Sequence, residues 1–315
     1  STSTAATGGA LAMARRFFPC LGGRGAGSTS RTAQSPDGGV VAGAGEAEGQ
    51  RGKGAVVVEL FTSQGCATSP GADLVVSRLG RGDFGLEAPV VVLAYHVDYW
   101  DYMGWRDPYG SSQWTVRQKA YVEALGLDAI FTPLLAVQGR RHCVGTDEDA
   151  LLSAIESAPR FPSPTFQATF ERPSPDSLQV SLTGALRSRV DGQGAKVMVA
   201  LYESGVVTEC PAGENRGRVL SNDFVVRRLE KLCAVRDVSA KKTVAGGVSF
   251  GLWEGFCSEK CGVAVFVQNR RPPHIRFGEL SIAREPVSGD RGNHVQICPD
   301  LAFVFASFCT IRKVG

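Results

Sequence analysis

The sequence predicts an α/β domain followed by an antiparallel β-sandwich-like domain, behind a disordered N-terminal segment. Three observations carry that reading. Between residues 54 and 160, apolar strand-like runs alternate with segments of helical period, as parallel β-α units do. Between 161 and 269, short apolar runs are separated by Gly, Asp, Ser and Asn without an intervening helical pattern, which suits an antiparallel sandwich. Before residue 54 the chain is rich in Gly, Ala, Ser and Thr, with no acidic residue ahead of Asp37. Such a segment cannot bury a core.

Composition narrows the function classes. With 315 residues the chain has room for two domains, and 43% hydrophobic and 21% charged residues are ordinary for a soluble protein. A net charge of +3 is too small to argue for a nucleic-acid partner. No stretch approaches the ~20 apolar residues that a membrane-spanning helix needs. Nine cysteines, scattered from Cys20 to Cys309, form no regular framework, which fits a reducing compartment. Segment 1–53 carries Arg15, Arg16, Arg24 and Arg31 and reads either as a plain linker or as an organelle transit peptide. The expected location is the cytoplasm, with the plastid as the alternative.

The first strand is the apolar run 55–61, covered on both faces. A tight turn at Gly65 leads to Cys66 at the mouth of a helix, with Ser69 as its N-cap and Pro70 as its first residue. Ala72, Val75, Val76 and Leu79 then fall on one face. Residues 89–97 form a second buried strand. An aromatic loop follows, with Tyr99, Trp100, Tyr102, Trp105 and Tyr109. A helix spans 112–127, closed by Gly126. Phe131-Thr132-Pro133 enters a third strand, 134–138, and Gly139-Arg140 turns it into a hairpin with 141–144. Thr146 caps a last helix that buries Leu151, Ala154, Ile155 and Ala158. Pro159, Pro162 and Pro164 mark a domain boundary. Beyond it, 165–170, 178–182, 197–202, 219–226, 243–250 and 262–268 read as strands. Arg270-Arg271-Pro272-Pro273 opens a divergent C-terminal tail, 270–315, in which 301–305 is a strand or an aggregation-prone run.

Particular motifs carry a resemblance. The run from Val58 to Cys66, the run from His96 to Pro108, Phe131-Thr132-Pro133, Glu203, Glu214 to Arg218 and Val225-Val226-Arg227 together resemble a thioredoxin-like family of unknown function. Its members are bacterial presumed-secreted proteins and plant thioredoxin-superfamily proteins, and Ala67-Thr68-Ser69-Pro70 resembles the plant branch. The resemblance covers roughly residues 55–269 and implies a thioredoxin-like fold for 54–160. Many bacterial members carry Cys-x-x-Cys where this chain has Cys66-Ala67-Thr68-Ser69. Ser69 cannot resolve a mixed disulfide. The resemblance also implies that Thr132-Pro133 is a cis-proline loop facing Cys66, ready to pair with an extended peptide.

The expected site follows from these positions. Cys66 beside free helix N–H groups is either a monothiol nucleophile or a structural cysteine. Ser69 caps the helix and can turn its hydroxyl toward the thiol. His96, ending the second strand, is a candidate proton partner or is simply bonded within the aromatic loop, with Asp98, Asp101 and Asp107 as further candidates. A metal reading of His96, Asp98 and Asp101 is disfavoured, and Cys257 and Cys261 are expected as unlinked thiols. No cofactor is expected, although glutathione can serve as co-substrate, with a protein or peptide thiol or disulfide as the other partner. The rival to thiol chemistry is a peptide-binding or protein-binding module without turnover. The clustered Trp and Tyr residues form either a binding wall over the site or, the favoured reading, the packing between the two domains.

Overall fold

The computed structural model describes residues 54–161, 165–186, 194–235 and 243–269, and the strand backbones at 275–277, 279–280, 295–297 and 309–313. The expectations for 1–53 and 301–305 fall outside the described residues. The architecture is mixed α/β, with one large sheet and further antiparallel sheets.

The first part of the chain builds one end of the large sheet. Strand β1 (Val56–Thr62) is buried at every position and runs parallel to β2 (Val90–His96). Both are near-continuous apolar runs because both faces are covered. Helix α1 (Ser69–Arg81) connects them and lays Ala72, Val75, Val76 and Leu79 on Val56, Val58, Leu60, Val92 and Ala94. Helix α2 (Ser112–Leu125) covers the opposite face, where Phe61, Tyr95, Trp114 and Tyr121 meet. Strands β3 (Leu134–Val137) and β4 (Arg141–Val144) form an antiparallel hairpin against β1, and α3 (Glu148–Glu156) returns over the α1 face.

Local chemistry shifts several expected features by a residue or two. Thr68, not Ser69, is the α1 N-cap, because the Ser69 hydroxyl turns back to accept from Ser63 N at 3.3 Å. Asp147, not Thr146, caps α3: its carboxylate accepts from Ala150 N at 2.9 Å, where a negative charge also suits the helix dipole. The hairpin turn centres on Gln138-Gly139, both at positive φ (52° and 62°), with Arg140 completing the loop before Arg141 pairs with Val137. Helix α2 ends at Leu125, closed by Gly126 at φ 64°.

The later strands divide between two sheets. β5 (Thr165–Ser174), β6 (Ser177–Ala185) and β11 (Thr243–Gly251) form an antiparallel sheet, edged in backbone by β14 (Glu279–Leu280). β7 (Ala195–Glu203), β10 (Val225–Val235) and β12 (Cys261–Asn269) instead extend the large sheet, with β13 (Ile275–Phe277), β15 (Val295–Ile297) and β16 (Cys309–Lys313) beyond them. β8 (Val206–Glu209) and β9 (Val219–Asn222) make a separate hairpin. The expected strand over 219–226 is thus two strands, broken where Phe224 adopts φ 57°.

The large sheet crosses the boundary expected near residue 160. Val225 of β10 pairs in parallel with Ala94 of β2, and Ala94 N donates to Phe224 O at 2.8 Å. β7 and β12 are consequently covered twice. Val197, Val199, Leu201, Val263 and Val265 face the smaller sheet across a sandwich core, while Ala200, Tyr202, Ala264 and Phe266 join the α2-side core.

One charged pair sits in that α2-side core. Glu59 in β1 accepts from Arg117 Nε at 2.9 Å and from the Tyr121 hydroxyl. The guanidinium packs over the rings of Tyr95, Tyr121 and Phe266. Burial alone would lower the Arg117 guanidinium, but Glu59 holds it above its ordinary value. A paired buried charge is tolerable, and a widowed one is not. Arg117→Met should therefore destabilise the protein by about 3–5 kcal/mol. Adding Glu59→Leu should recover part of that loss. Urea unfolding of both variants tests this, and a double variant no more stable than the single one would contradict it.

Candidate functional site

The turn 62–69 places the site. Gly65 is required there: a Cβ would come within 2.9 Å of Trp100 Cβ and 3.1 Å of Trp100 O. Cys66 lies at the start of α1, only 3% exposed. Its Sγ donates to Thr132 O at 3.7 Å and lies 3.3 Å from Thr68 Oγ1. The Thr132–Pro133 bond is cis, as the resemblance implied. Gly145 closes the far side, where a Cβ would meet Ala72 and Pro133 at 2.7 Å.

The hydroxyls around the sulfur are oriented by their own donors. Trp100 Nε1 donates to Thr132 Oγ1 at 2.7 Å, which leaves the Thr132 O–H to donate elsewhere. Ser63 N likewise occupies a lone pair of Ser69 Oγ. Both protons are free to point at Cys66. Burial pushes the Cys66 thiol up, but the Ser69, Thr132 and Thr68 hydrogen bonds outweigh it and leave the thiol below its ordinary value. The Tyr99 phenol is pushed up to about 12, chiefly by burial, and a negative charge on Cys66 adds to the rise.

His96 belongs to a different constellation. It is fully buried, and its Nδ1 lies 2.7 Å from Asp107 Oδ2. The same carboxylate oxygen accepts from Gln64 N at 2.8 Å, and Oδ1 accepts from Tyr109 N at 2.9 Å. Burial alone would lower the His96 imidazole, but Asp107 and Asp73 hold it above its ordinary value. Burial would raise the Asp107 carboxyl, but His96 and the donated N–H groups hold it down. Asp98 and Asp101 go elsewhere: Asp98 accepts from the Thr115 hydroxyl at 2.6 Å, and Asp101 accepts from Asp107 N at 3.2 Å. The structure thus pairs Cys66 with Ser69 and Thr132-Pro133, and pairs His96 with Asp107.

Gln64 and Asn215 lie in runs that carried only the resemblance, and Asp73 and Asn222 lie in none; the sequence marked none of the four as a site residue. The amide of Asn215, from the loop after β8, donates to Gln64 O at 2.8 Å and Cys66 O at 3.0 Å. Arg218 holds the Asn215 oxygen at 2.8 Å. Gln64 Nε2 donates to Asn222 Oδ1 at 2.9 Å, and Trp105 Nε1 donates to Gln64 Oε1 at 3.2 Å. The later half of the chain therefore supplies the outer wall of the Cys66 turn. Asp73 had a readable signal, a carboxylate beside Ala72 on the apolar stripe of α1. The loop aromatics do pack across the halves. Tyr109 lies 3.2 Å from Thr208 through their hydroxyls, and Arg227 stacks on both Tyr109 and Trp253. Tyr102, at 78% exposure, does not. Cys257 and Cys261 are free thiols.

The span of this network matches a known family. The chain belongs to the proteins of unknown function DUF1223. The match covers residues 57–268, so every residue of both constellations lies inside it. No curated protein matches the chain. Among solved structures, protein AGR_C_4864 from Agrobacterium tumefaciens is 25% identical, over 75% of this chain and 99% of its own, with a TM-score of 0.49. HBP35 of Porphyromonas gingivalis is 13% identical, over 84% of this chain and 92% of its own, with a TM-score of 0.51, a likeness of fold alone. Among the described residues no helix is long and apolar enough to cross a membrane, and no cluster of three His, Cys, Asp or Glu side chains is arranged to hold a metal.

Two outcomes follow for this DUF1223 protein. Burial raises the Asp73 carboxyl from 3.8 to about 6, with His96 opposing the rise. The folded state then binds this proton more tightly than the unfolded chain, so stability falls as pH rises from about 4 to 6 and the loss is complete above that. Asp73→Asn should be more stable than the parent at pH 8, by on the order of 1–3 kcal/mol, and the gap should close toward pH 4. Thermal unfolding at the two pH values measures it. Asn215→Ala removes two hydrogen bonds from the Cys66 turn and should cost about 1–3 kcal/mol. It should also speed alkylation of Cys66 at constant pH, read by peptide mass spectrometry.

Proposed function

We propose that this protein is a thioredoxin-like member of the family, on its plant branch, and acts through Cys66 as a monothiol in thiol–disulfide exchange. The observation that carries this reading is the setting of the sulfur, at the start of α1 among three hydroxyls and against Thr132 O. The order β1–α1–β2, then α2 and a β3–β4 hairpin followed by α3, supports the thioredoxin-like part. Ala67-Thr68-Ser69-Pro70 supports the plant part.

The chemistry balances with an external thiol. The Cys66 thiolate attacks one sulfur of a disulfide RSSR′. A Cys66–SR bond forms, the RS–SR′ bond breaks, and R′S⁻ leaves to take a proton from solvent. An external thiol of the glutathione class, having lost its proton to solvent, attacks the R sulfur. It forms a new disulfide and expels the Cys66 thiolate. Ser69 serves as a donor to the sulfur and not as a resolving group. His96, with Nδ1 on Asp107, supports the fold of the turn.

A second reading is favoured by one observation. At 3% exposure Cys66 is accessible only when the Thr68 and Thr132 contacts open. A groove at Thr132-Pro133 that captures an extended peptide without turnover fits that burial. Site-resolved alkylation of Cys66 across pH separates the two. Thiol exchange predicts a midpoint below the ordinary thiol value of about 8.5. It also predicts complete loss of mixed-disulfide formation with oxidised glutathione in Cys66→Ser. A midpoint at or above that value, with no mixed disulfide in the parent, favours capture.

A further inference from the structure

Two successive arginines of β10 reach the same place. Strand alternation would send Arg227 and Arg228 to opposite faces. A register shift between Val226 and Arg228 prevents this, as an extra residue in a strand re-aims its neighbours. Val226 and Leu229, on either side, both pack into the α2-side core, and the two arginines between them turn away from it. Both meet one indole: Arg227 Cζ lies 4.2 Å and Arg228 Cζ 5.7 Å from the centre of the Trp253 ring. Trp253 meets Phe256 edge-on at 5.2 Å, and Arg172 Cζ lies 5.4 Å from the Phe256 ring. Three guanidiniums are thus strung along two adjoining rings, both half-buried.

Their charges are not balanced. Among the described residues, Glu203 is the one carboxylate in ion-pair contact with the three, and it is held by Arg227. Arg228 donates to Arg227 O at 2.8 Å and Arg172 to Pro175 O at 2.6 Å, both of them backbone acceptors. Burial and then Arg227 hold the Arg228 guanidinium below its ordinary value, against Glu230, which acts from beyond ion-pair distance. Like charges held together out of full solvent are a cost that a bound anion removes.

We propose that Arg172, Arg227 and Arg228, mounted on Trp253 and Phe256, form a recognition site for the carboxylate side chains of an acidic peptide segment. Guanidinium forks match carboxylates with paired hydrogen bonds. A row of cations with rings between them suits carboxylates spaced along one chain better than it suits one compact ion. A net charge of +3 over 315 residues supplies no wider field for a nucleic acid. The site does not rest on the chemistry assigned to Cys66. It does lie toward the same end of the large sheet. Val225 pairs with Ala94, two residues before His96, and Arg227 stacks on Tyr109, whose ring edge meets His96.

The test is an NMR titration of the full chain, read at the Trp253 indole N–H, which is assigned by its loss in Trp253→Phe. At about 0.1 M salt, hexaglutamate should shift that signal to saturation, and hexalysine should not. Arg228→Gln should weaken the hexaglutamate affinity about tenfold. Arg172→Gln carries the same expectation should Arg228→Gln fail to fold. Arg141→Gln, on β4 at the other end of the sheet order from β10, should leave the affinity unchanged. Absence of a saturable shift in the parent overturns the proposal. So does an unchanged affinity in the folded Arg228 or Arg172 variant, or an equal loss in Arg141→Gln. An equal response to inorganic phosphate also overturns it, since it marks a plain oxyanion site.

Discussion

Asp107 Oδ2 accepts two hydrogen bonds at once, from the His96 ring and from the Gln64 backbone, and the geometry around Cys66 depends on that double acceptance. A buried carboxylate is costly unless its lone pairs are met. Here both oxygens are met, by the end of β2, by the β1–α1 turn and by the backbone of Tyr109. The β1–α1 turn and the end of β2, 43 and 11 residues before Asp107, are thereby held to its loop. Gln64, so fixed, extends its side chain to Asn222 and Trp105, and its carbonyl receives Asn215. Cys66 is positioned at the end of this chain of contacts.

The same logic explains why the sheet continues past the expected boundary. β2 has an edge that would otherwise present unpaired N–H and C=O groups. Phe224 O takes one of those N–H groups, and β10 then carries β7 and β12 onto the sheet. Once β7 and β12 are interior strands, their second face needs a cover, and the β5–β6–β11 sheet supplies it. The sandwich read from the sequence is real as packing, but its inner layer is shared with the strands that carry the site.

Two buried polar systems lie on opposite faces of β1, and alternation along the strand separates them. Glu59 points to the α2 side, where Arg117 and Tyr121 meet it, while Thr62 points to the α1 side, beside His96 and Asp73. The first is a closed ion pair, suited to holding α2 on the sheet. The second gathers the titratable groups Asp73, His96 and Asp107, each of which bears on the others' protonation. Cys66 sits above the second, on the turn that both α1 and Asp107 restrain.

The sequence by itself determined the local elements and the residues of the thiol setting. Apolar runs specify β1 and β2, the helical period specifies α1, and Cys66 and Ser69 were legible from the strand–turn–helix pattern, whereas Thr132-Pro133 was set opposite Cys66 by the family resemblance alone. Asp147 displaced Thr146 as a cap by accepting from Ala150 N, and Thr68 stands at the N-cap of α1 while the Ser69 hydroxyl is held by Ser63 N; only the folded turns decide this. Tertiary structure alone decided the partners of Glu59, Gln64, Asp73, Asn215 and Asn222. Each is a polar side chain whose meaning lies in a group from a distant segment, and burial compels such pairing without local sequence naming the partner. His96 shows the division most plainly: its place at the end of β2 is written in the strand pattern. Its commitment to Asp107 rather than to Cys66 is set by the α1-facing side of the sheet and by a loop whose path no periodicity records.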